Sequence, residues 1–377
     1  MVKLGDICTV VSGSTPSSSV AEYWDGNHIW ITPAELSDDS FIIYDSVRHI
    51  TDRAIQETSL KPFPEGTVIL SSRAPIGKTA IAGCKMYCNQ GFKNLICSDS
   101  IYNKYLYFFL SAKTDYLNSL GRGATFKEIS KYIVENIQIY LPTIEEQKKR
   151  AGILEKLMFL IQTRKKQLSK LDQLVKSRFV EMFGDTKNNI NNFKIYSIGD
   201  ICSLKSGTSL PLNVENEGGD IPYIKVSDMS LPGNERYITI SSRYVTQKTA
   251  GKGIFPVGSV IFPKRGGAIG TNKKRLTQIP ICADLNIMGV IPGANIMPQY
   301  LLSYFDMIDL GKLDNGSSVP QLNNKDIAPL KILLPPLSLQ EQFAAFVEQV
   351  EKEKLSVKQS LDKLETLKKS LMQEYFG

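Results

Sequence analysis

The chain has 377 residues, of which 42% are hydrophobic and 22% are charged, and its net charge at pH 7 is +7. This composition is typical of globular proteins and excludes a disordered chain, while the length favours two or more domains. There is no apolar run long enough for a membrane span, no signal-peptide core after Met1 and only six dispersed cysteines. We therefore expect a protein of the reducing cytoplasm that does not contact a membrane.

The first 142 residues predict a compact α+β domain. Short β-branched runs between glycines and prolines, such as Thr67–Leu70, are typical of strands, and the segment Asn103–Leu110 predicts a helix. The pair Leu141-Pro142 marks the end of the domain, because proline commonly separates one element from the next.

A long helix is predicted next, over residues 143–184. Thr143 is a credible N-cap, and Glu145 and Glu146 follow in the first turn, where the helix dipole favours acidic side chains. Ten basic and five acidic residues make the segment positive, which permits binding to a polyanion without requiring it.

The second half of the chain repeats the first half with a period near 193 residues, as expected of a tandem duplication. Matched segments, first copy before second, are 4–8 and 198–202, 63–69 and 255–261, 123–125 and 316–318, 146–147 and 341–342, and 183–184 and 376–377. We therefore expect a second α+β domain over residues 185–337 and a second long helix over residues 338–377.

Both predicted helices carry apolar residues at intervals of seven, a pattern that packs helix against helix in coiled coils. The residues of this predicted seam are Leu154, Ile161, Leu168, Val175, Phe343, Val350, Val357 and Leu364. The predicted fold class is therefore α+β: two α+β domains separated by two long antiparallel coiled-coil helices, related by a pseudo-twofold internal repeat. Such a molecule suits a target with two separated parts.

Catalytic motifs are weak in this sequence. The segment Gly77–Thr79 resembles the end of a phosphate-binding loop, but Ser72 stands where that motif requires glycine, and the matched segment of the second copy, 270–272, has no lysine. His28 and His49 have no counterparts in the other copy, and the cysteines lack the spacing of a zinc site. The sequence favours a binding protein with no metal and no catalytic residue, although scattered carboxylates leave a metal-dependent nuclease open.

Basic loops with small neighbouring residues are the strongest candidates for a binding surface. Small residues let the backbone approach a ligand closely, while arginine pairs with guanine or grips a phosphate. The DNA-binding candidates are Arg73, Lys78, Lys93, Arg122 and Lys127 in the first domain, and Lys225, Lys264, Arg265, Lys273, Lys274 and Arg275 in the second. Solvated hairpin tips and buried turns are the alternative interpretations of these segments.

Several segments resemble the target-recognition domains of type I restriction-modification specificity subunits. They are Phe63–Lys78, Asn89–Lys93, Gly123–Ile129 and the Leu141–Gln147 junction into a long helix, which recurs as Leu334–Gln342. In place of Asn89–Phe92 the second copy reads Ala283–Asn286. The resemblance covers essentially the whole chain.

The resemblance implies a sequence-specific DNA-binding subunit that is not itself an enzyme. Each globular domain would recognise one half of a split site in double-stranded DNA. The helices would set the spacing and dock two methyltransferase subunits, and two motor-nuclease subunits would join for cleavage. S-adenosylmethionine would be bound by the methyltransferase subunits, so no cofactor is expected on this chain.

The residues alone leave open a scaffold that uses its helix pair to join two proteins without nucleic acid. The salt dependence of DNA binding distinguishes the two functions, because contacts between Lys or Arg and phosphates weaken steeply as salt rises.

Overall fold

The computed structural model describes residues 1–73, 75–123, 127–186, 189, 191–313 and 320–377. These residues form two compact units. The first comprises Met1–Lys165 with Gln359–Gly377, and the second comprises Lys166–Lys358. Each unit therefore contains a sheet-bearing domain together with part of each long helix, whereas the sequence-based division set the helices apart as separate segments.

The first unit begins with short strands and turns and ends on the first long helix. Its strands are β1 (Val2–Lys3), β2 (Cys8–Val11), β3 (Trp24–Ile31), β4 (Ile42–Ile43), β5 (His49–Ile50), β6 (Val68–Leu70), β7 (Thr79–Ala82), β8 (Tyr87–Cys88), β9 (Asn94–Cys97) and β10 (Gln138–Ile139). Its helices are α1 (Leu4–Ile7), α2 (Asp52–Thr58), α3 (Asn103–Ala112), α4 (Thr114–Ser119), α5 (Lys131–Glu135) and α6 (Ile144–Phe183), which continues into the second unit.

The first domain is built on a five-stranded sheet in the order β2-β9-β6-β7-β4 and a three-stranded sheet in the order β5-β3-β8. The pairs β4–β7 and β3–β8 are parallel, and the other pairs of these two sheets are antiparallel. The buried side chains of β6 and β9 form one core with α3, including Leu70, Leu95 and Phe108. This core fixes the strands whose ends carry the predicted binding loops.

The second unit has a similar order of elements, with one more strand, β16 (Ile254–Phe255), and with no counterpart of α4 among its described α-helices. Its strands are β11 (Lys194–Ser197), β12 (Cys202–Ser206), β13 (Ile221–Ile224), β14 (Tyr237–Ile238), β15 (Tyr244–Val245), β16 (Ile254–Phe255), β17 (Val260–Pro263), β18 (Arg275–Thr277), β19 (Ile281–Ala283), β20 (Ile287–Pro292) and β21 (Lys331–Leu334). Its helices are α7 (Ile198–Ile201), α8 (Gln247–Ala250), α9 (Pro298–Asp306), α10 (Asn324–Ile327) and α11 (Leu337–Phe376), which continues into the first unit.

The sheets of the second domain repeat the topology of the first. Their orders are β12-β20-β17-β18-β14 and β15-β13-β19-β16, again with two parallel pairs, β14–β18 and β13–β19. The pair β16–β19 joins Phe255 to Ile281, and the first domain makes the equivalent contact as a single antiparallel β-bridge between Phe63 and Met86. The predicted α+β class and the internal repeat are confirmed.

The glycines Gly13 and Gly207 mark the same close approach of two backbone segments in the two domains. A Cβ atom on Gly13 would lie 1.9 Å from the carbonyl oxygen of Cys88, and one on Gly207 would lie 2.1 Å from that of Asp284. No side chain fits at these distances, so packing of the backbone explains why both copies have glycine here, in Ser12-Gly13 and in Ser206-Gly207.

Within the first unit, the beginning of α6 packs against the end of α11 in antiparallel orientation. The Arg150 guanidinium lies 5.0 Å from the centroid of the Tyr375 ring, and Lys165 Nζ lies 3.7 Å from Glu365 Oε1. Residue numbers therefore rise along α6 as they fall along the facing part of α11.

Within the second unit, the end of α6 packs against the beginning of α11 in the same antiparallel way. The ring centroids of Phe179 and Phe343 are 5.5 Å apart, and Lys354 Nζ lies 2.8 Å from Asp172 Oδ1.

The residues of the predicted seam face protein rather than solvent. Six of them are at most 8% exposed: Leu154, Ile161, Val175, Phe343, Val350 and Val357. Leu168 and Leu364 are half-buried. Along the described residues, no helix combines the length and the apolarity needed to cross a membrane.

A fully buried glutamine joins α6 to the first domain. Gln147 Oε1 accepts a hydrogen bond from the backbone N–H of Tyr102 (2.8 Å), and its Nε2 donates to the carbonyls of Ser100 (3.1 Å) and Pro142 (2.9 Å). The side chain thus satisfies three backbone groups where the helix leaves the domain.

The second domain makes the same junction with Gln340. Its Oε1 accepts from the backbone N–H of Met297 (2.8 Å), and its Nε2 donates to the carbonyls of Asn295 (3.1 Å) and Pro335 (2.9 Å). The predicted match of residues 146–147 with residues 341–342 is therefore wrong in register. The counterpart of Gln147 is Gln340, because the hydrogen-bonded environment and not the Glu-Gln letters is what repeats.

Candidate nucleic-acid interface

Three chain segments meet beyond the end of β6 in the first domain. The backbone N–H of Ser72 donates to the carbonyl of Gly91 (2.8 Å), and that of Ile129 donates to the carbonyl of Ser72 (3.0 Å). Arg122 and Glu128 exchange both backbone hydrogen bonds, each at 3.0 Å. These contacts bring residues 71–73, 89–93, 121–123 and 127–129 together, and we call this cluster the first loop junction. Most of the predicted match of residues 123–125 with residues 316–318 lies outside the described residues.

The second domain builds the equivalent cluster beyond the end of β17. Here the backbone N–H of Lys264 donates to the carbonyl of Asn286 (2.8 Å), and that of Leu322 donates to the carbonyl of Lys264 (2.9 Å). The backbones of Arg265 and Gln321 form an antiparallel β-bridge, as do those of Arg73 and Glu128. This is the second loop junction, and it places Arg265 where the first has Arg73.

A side-chain turn repeats at both junctions. Asn89 Oδ1 accepts from the backbone N–H of Gly91, and Asp284 Oδ1 accepts from that of Asn286, each at 2.9 Å. Asn89–Phe92 therefore corresponds to residues 284–287, one position later than the predicted match at 283–286. Asn and Asp are interchangeable in this turn because both offer the accepting oxygen.

The predicted cations of the first domain differ in exposure. Arg122 and Lys127 are exposed, and the half-buried Arg73 has its Nη1 3.9 Å from Glu128 Oε2. Lys93 is only 7% exposed, and its ammonium lies 3.0 Å from Glu128 Oε1 and bonds to Ser72. Lys93 is thus committed to the interior of the first loop junction.

Lys78 and Lys273 occupy equivalent positions. Ile81 pairs with Val68 in the first domain, and Leu276 pairs with Val260 in the second. Lys78 lies three residues before Ile81, and Lys273 lies three residues before Leu276. Lys78 Nζ donates to the carbonyl of Leu36 (2.6 Å), and Lys273 donates to the hydroxyl of Ser230. The second domain therefore has a lysine at this structural position, although the segment 270–272 has none, because the loop of the second domain is longer.

In the second domain, Arg265 is exposed and Lys264 is buried. Lys264 Nζ donates to Ser206 Oγ at 2.8 Å, and burial, with a smaller effect of Arg265, lowers the pKa of Lys264. Lys225 is half-buried, and its ammonium lies 2.6 and 2.7 Å from the two carboxylate oxygens of Glu215.

Lys274 and Arg275 lie on or beside β18 and hold other segments of the second domain. Lys274 Nζ donates to Asn272 Oδ1 and to the carbonyl of Ile308, both at 2.7 Å. Burial lowers the pKa of Lys274 to about 8. Arg275 Nε donates to the carbonyl of Met229 at 3.1 Å. The run of three basic residues is therefore not one exposed patch.

Sequence reasoning missed Glu128, the acidic group that organises the first loop junction. It lies 35 residues from Lys93 and 55 from Arg73 in sequence, so no local pattern connects them. Within the described residues, no group of three or more His, Cys, Asp or Glu side chains is arranged to hold a metal ion.

A family model described as the type I restriction modification DNA specificity domain matches residues 1–173 and 190–366. The MjaIX type I restriction enzyme specificity subunit of Methanocaldococcus jannaschii is 30% identical over 373 residues, which cover 92% of this chain and 85% of the relative. The EcoprrI specificity subunit of Escherichia coli is 20% identical over 372 residues, which cover 92% and 86%.

Two solved structures share the fold. The S subunit of a type I restriction-modification system from M. genitalium is similar with a TM-score of 0.60 at 15% identity, covering 100% of this chain and 95% of that chain. A chain from a structure of type I system assembly and conformational transition has a TM-score of 0.61 at 18% identity, covering 100% and 96%. The family match over both halves and the relative of similar length together establish that this chain belongs to the type I restriction-modification DNA specificity subunits, a family of non-catalytic recognition subunits.

Proposed function

We propose that the chain recognises a two-part sequence in double-stranded DNA, with each α+β domain binding one half-site and the long helices setting the distance between them. The observation that carries this proposal is the repeated loop junction, which presents Arg73 and Arg265 at the same backbone position in the two domains. A loop junction that is present in both domains suits a target with two halves.

The proposed DNA contacts are the cations that remain accessible at the junctions. Arg122, Lys127 and Arg265 are exposed, and one third of the Arg73 side chain is accessible. Arginine at these places matches guanine edges or phosphates, and lysine matches phosphates. The half-buried Lys78 and Lys273, each with one protein acceptor, keep further N–H donors for a phosphate.

The remaining predicted cations have structural roles within the domains in this proposal and do not contact DNA. Lys93, Lys264 and Lys274 are at most 8% exposed, and Lys225 is paired with Glu215. A buried ammonium reaches DNA only if its own contacts break, and breaking them leaves buried polar groups without partners.

We also propose that the long helices dock methyltransferase subunits, two for each chain, with two motor-nuclease subunits added for cleavage. Large apolar side chains are exposed on both helices, and such side chains favour protein partners when they cluster. The exposed ones are Ile153, Phe159, Leu160, Leu174, Val180, Leu337, Leu355 and Leu367. S-adenosylmethionine belongs to the methyltransferase subunits in this proposal.

The DNA proposal is tested by selecting duplexes from a random library with the full chain bound to its methyltransferase subunits. We expect a two-part consensus. In this selection R265A relaxes base preference in one half, with a loss of about 1–3 kcal/mol at the affected base pair, and R73A does so in the other. The control is K248A, which removes an exposed cation of α8 that belongs to none of the segments of the second loop junction. Selection of no two-part sequence by the wild-type complex contradicts the proposal and favours the protein scaffold.

The docking proposal is tested by substituting Phe159, which is 68% exposed on α6. We expect F159E to reduce co-purification of the methyltransferase subunit, because a carboxylate in an apolar interface is desolvated without a partner. Q162E adds the same charge three residues further along the helix and should have a smaller effect. Equal co-purification of F159E and wild type counts against this surface.

A further inference from the structure

Each loop junction contains one buried lysine, but the two lysines come from different positions of the repeat. In the first junction it is Lys93, at the start of the strand that pairs with β6, and its ammonium lies 3.3 Å from Ser72 Oγ and 3.0 Å from Glu128 Oε1. In the second junction it is Lys264, at the end of β17, with its ammonium 2.8 Å from Ser206 Oγ.

The hydrogen-bond register defines which residues correspond. Ser72 and Lys264 both donate from the backbone to the turn that precedes the neighbouring strand, to Gly91 and to Asn286. Two residues after each acceptor come Lys93 and Met288. Ser72 therefore corresponds to Lys264, and Lys93 corresponds to Met288.

The exchange extends to the third segment of the junction. The backbone of Glu128 forms a β-bridge with that of Arg73 in the first domain, and the backbone of Gln321 does so with that of Arg265 in the second. In the first junction this position is Glu128, whose carboxylate lies beside the Lys93 ammonium. In the second junction it is Gln321, and the Lys264 ammonium bonds to Ser206.

The two lysine side chains lie on one face of the same pair of strands. Residues 70 and 93 are opposite each other, as are Phe262 and Met288, so Ser72 and Lys93 are diagonal neighbours on that face. Lys93 reaches across this diagonal towards the loop. Lys264 starts at the loop side and reaches across β20 to Ser206, which pairs with Met288.

Burial of an ammonium group opposes folding, so a buried lysine supplied twice from different positions calls for a physical reason. In both junctions the lysine anchors the residue immediately before an arginine that remains accessible, Arg73 in the first and Arg265 in the second. Lys93 bonds to the Ser72 side chain, next to Arg73. Lys264 is itself the residue before Arg265, and its far end is fixed at Ser206.

We infer that Lys93 and Lys264 are positioning residues that hold the loops of Arg73 and Arg265 in the geometry needed to read bases, each through its own set of contacts. The inference rests on the proposed recognition of DNA by these loops. It makes the buried ammonium, and not the strand that supplies it, the functional requirement of the junction.

The test transplants the second set of residues into the first domain. K93M removes the ammonium while keeping an unbranched apolar side chain. The triple variant S72K/K93M/E128Q gives the first junction the Lys, Met and Gln of the second, with Ser12 available as the counterpart of the acceptor Ser206. Both are compared with wild type as full chains bound to the methyltransferase subunits. Base preference in each half-site is measured by selection from a random duplex library.

We expect K93M to lose at least fivefold in preference for the favoured bases of one half-site, with the other half unchanged. The triple variant should restore the preference to within about twofold of wild type. Thermal melting is measured in parallel, because removal of a lysine that only stabilises the fold would lower the melting temperature and leave base preference unchanged. If K93M does not fold, K264M and the reverse transplant K264S/M288K/Q321E make the same comparison in the second domain.

The inference is overturned by unchanged base preference in a folded K93M or K264M complex. It is overturned equally by a folded transplant whose preference stays as relaxed as that of the single variant. Failure of the wild-type complex to select any two-part sequence would instead contradict the proposed function, so the two failures are distinguishable.

Discussion

Gln147 and Gln340 each fasten a long helix to its domain through one accepted and two donated hydrogen bonds. Both side chains are fully buried. Truncation to alanine leaves a backbone N–H and two carbonyls without partners. We therefore expect Q340A to lower the free energy of unfolding by about 2–3 kcal/mol, measured by urea denaturation.

Gln342 is the matched control for this prediction. It lies two residues further along the same helix and is exposed. We expect Q342A to change the unfolding free energy by less than about 0.5 kcal/mol. A Q340A midpoint indistinguishable from that of Q342A would show that the junction does not depend on the buried amide.

Lys274 gives a prediction on pH at the same scale. Burial lowers its pKa to about 8 in the folded protein, from an ordinary value of 10.5, although Asp306 and Asp309 act in the opposite direction. Between these two values the unfolded chain binds more protons than the folded one. The contribution of Lys274 to folding stability therefore becomes more favourable as pH rises through this window.

K274M removes this titration, so the comparison of two proteins isolates it from the tyrosines that titrate at similar pH. We expect the stability of wild type relative to K274M to increase between about pH 7.5 and about pH 9.5. Urea denaturation of both proteins at the two pH values measures the change. If the difference in unfolding free energy between wild type and K274M stays constant or decreases as pH rises, burial does not lower the pKa of Lys274.

At the scale of elements, an aromatic cluster joins the two long helices to the second domain. The Phe183 ring lies 4.8 Å from Tyr300 of α9 and 5.4 Å from Phe343 of α11, between centroids, and Phe183 is 1% exposed. We expect F183A to cost about 3–5 kcal/mol, because it removes a large ring from a packed core and leaves a cavity. Calorimetry should show a lower melting temperature for the transition of the second unit.

The control is L174A on the same helix, where the side chain is 47% exposed. Its expected cost is below about 1 kcal/mol, because little apolar surface is uncovered. Equal melting temperatures for F183A and L174A would mean that the cluster adds nothing to the attachment of the helices.

Sequence periodicity located the elements better than it located their register. The predicted helices begin at residues 143 and 338, and α6 and α11 begin at Ile144 and Leu337. Similarity of residue types predicts Ala283 as the counterpart of Asn89. The structure places it at Asp284, because the loop from Lys264 to Leu276 is three residues longer than the loop from Ser72 to Ile81.

The candidate site was predicted in part. The basic loops meet at two equivalent junctions, but composition cannot tell an exposed cation from a buried one. Arg265 is exposed while the adjacent Lys264 is buried, and the difference is set by Ser206, which lies 58 residues away in sequence. Parallel pairs such as β3–β8 were likewise beyond prediction, because their partners are joined only through long connections.

At the scale of the whole molecule, helix length sets the distance between half-sites in the proposed function. The boundary between the two compact units falls after Lys165 on one helix and after Lys358 on the other. A heptad inserted at both places preserves the phase of the apolar seam, because seven residues are close to two turns. It lengthens each helix by about 10 Å, which corresponds to about three base pairs at about 3.4 Å each.

We therefore expect the double insertion to move the preferred gap between half-sites to about three more base pairs, as read from methylated sites in cells. The added base pairs also rotate one half-site by about 100° relative to the other, so affinity for the best site should fall as well. The control carries the same seven residues after Gly184, which lies beyond the end of α6. That insertion lengthens the chain and leaves the helix as it was, so the gap should not change. If the double insertion leaves the gap unchanged in a complex that still methylates DNA, the helices dock partners without setting the distance between half-sites.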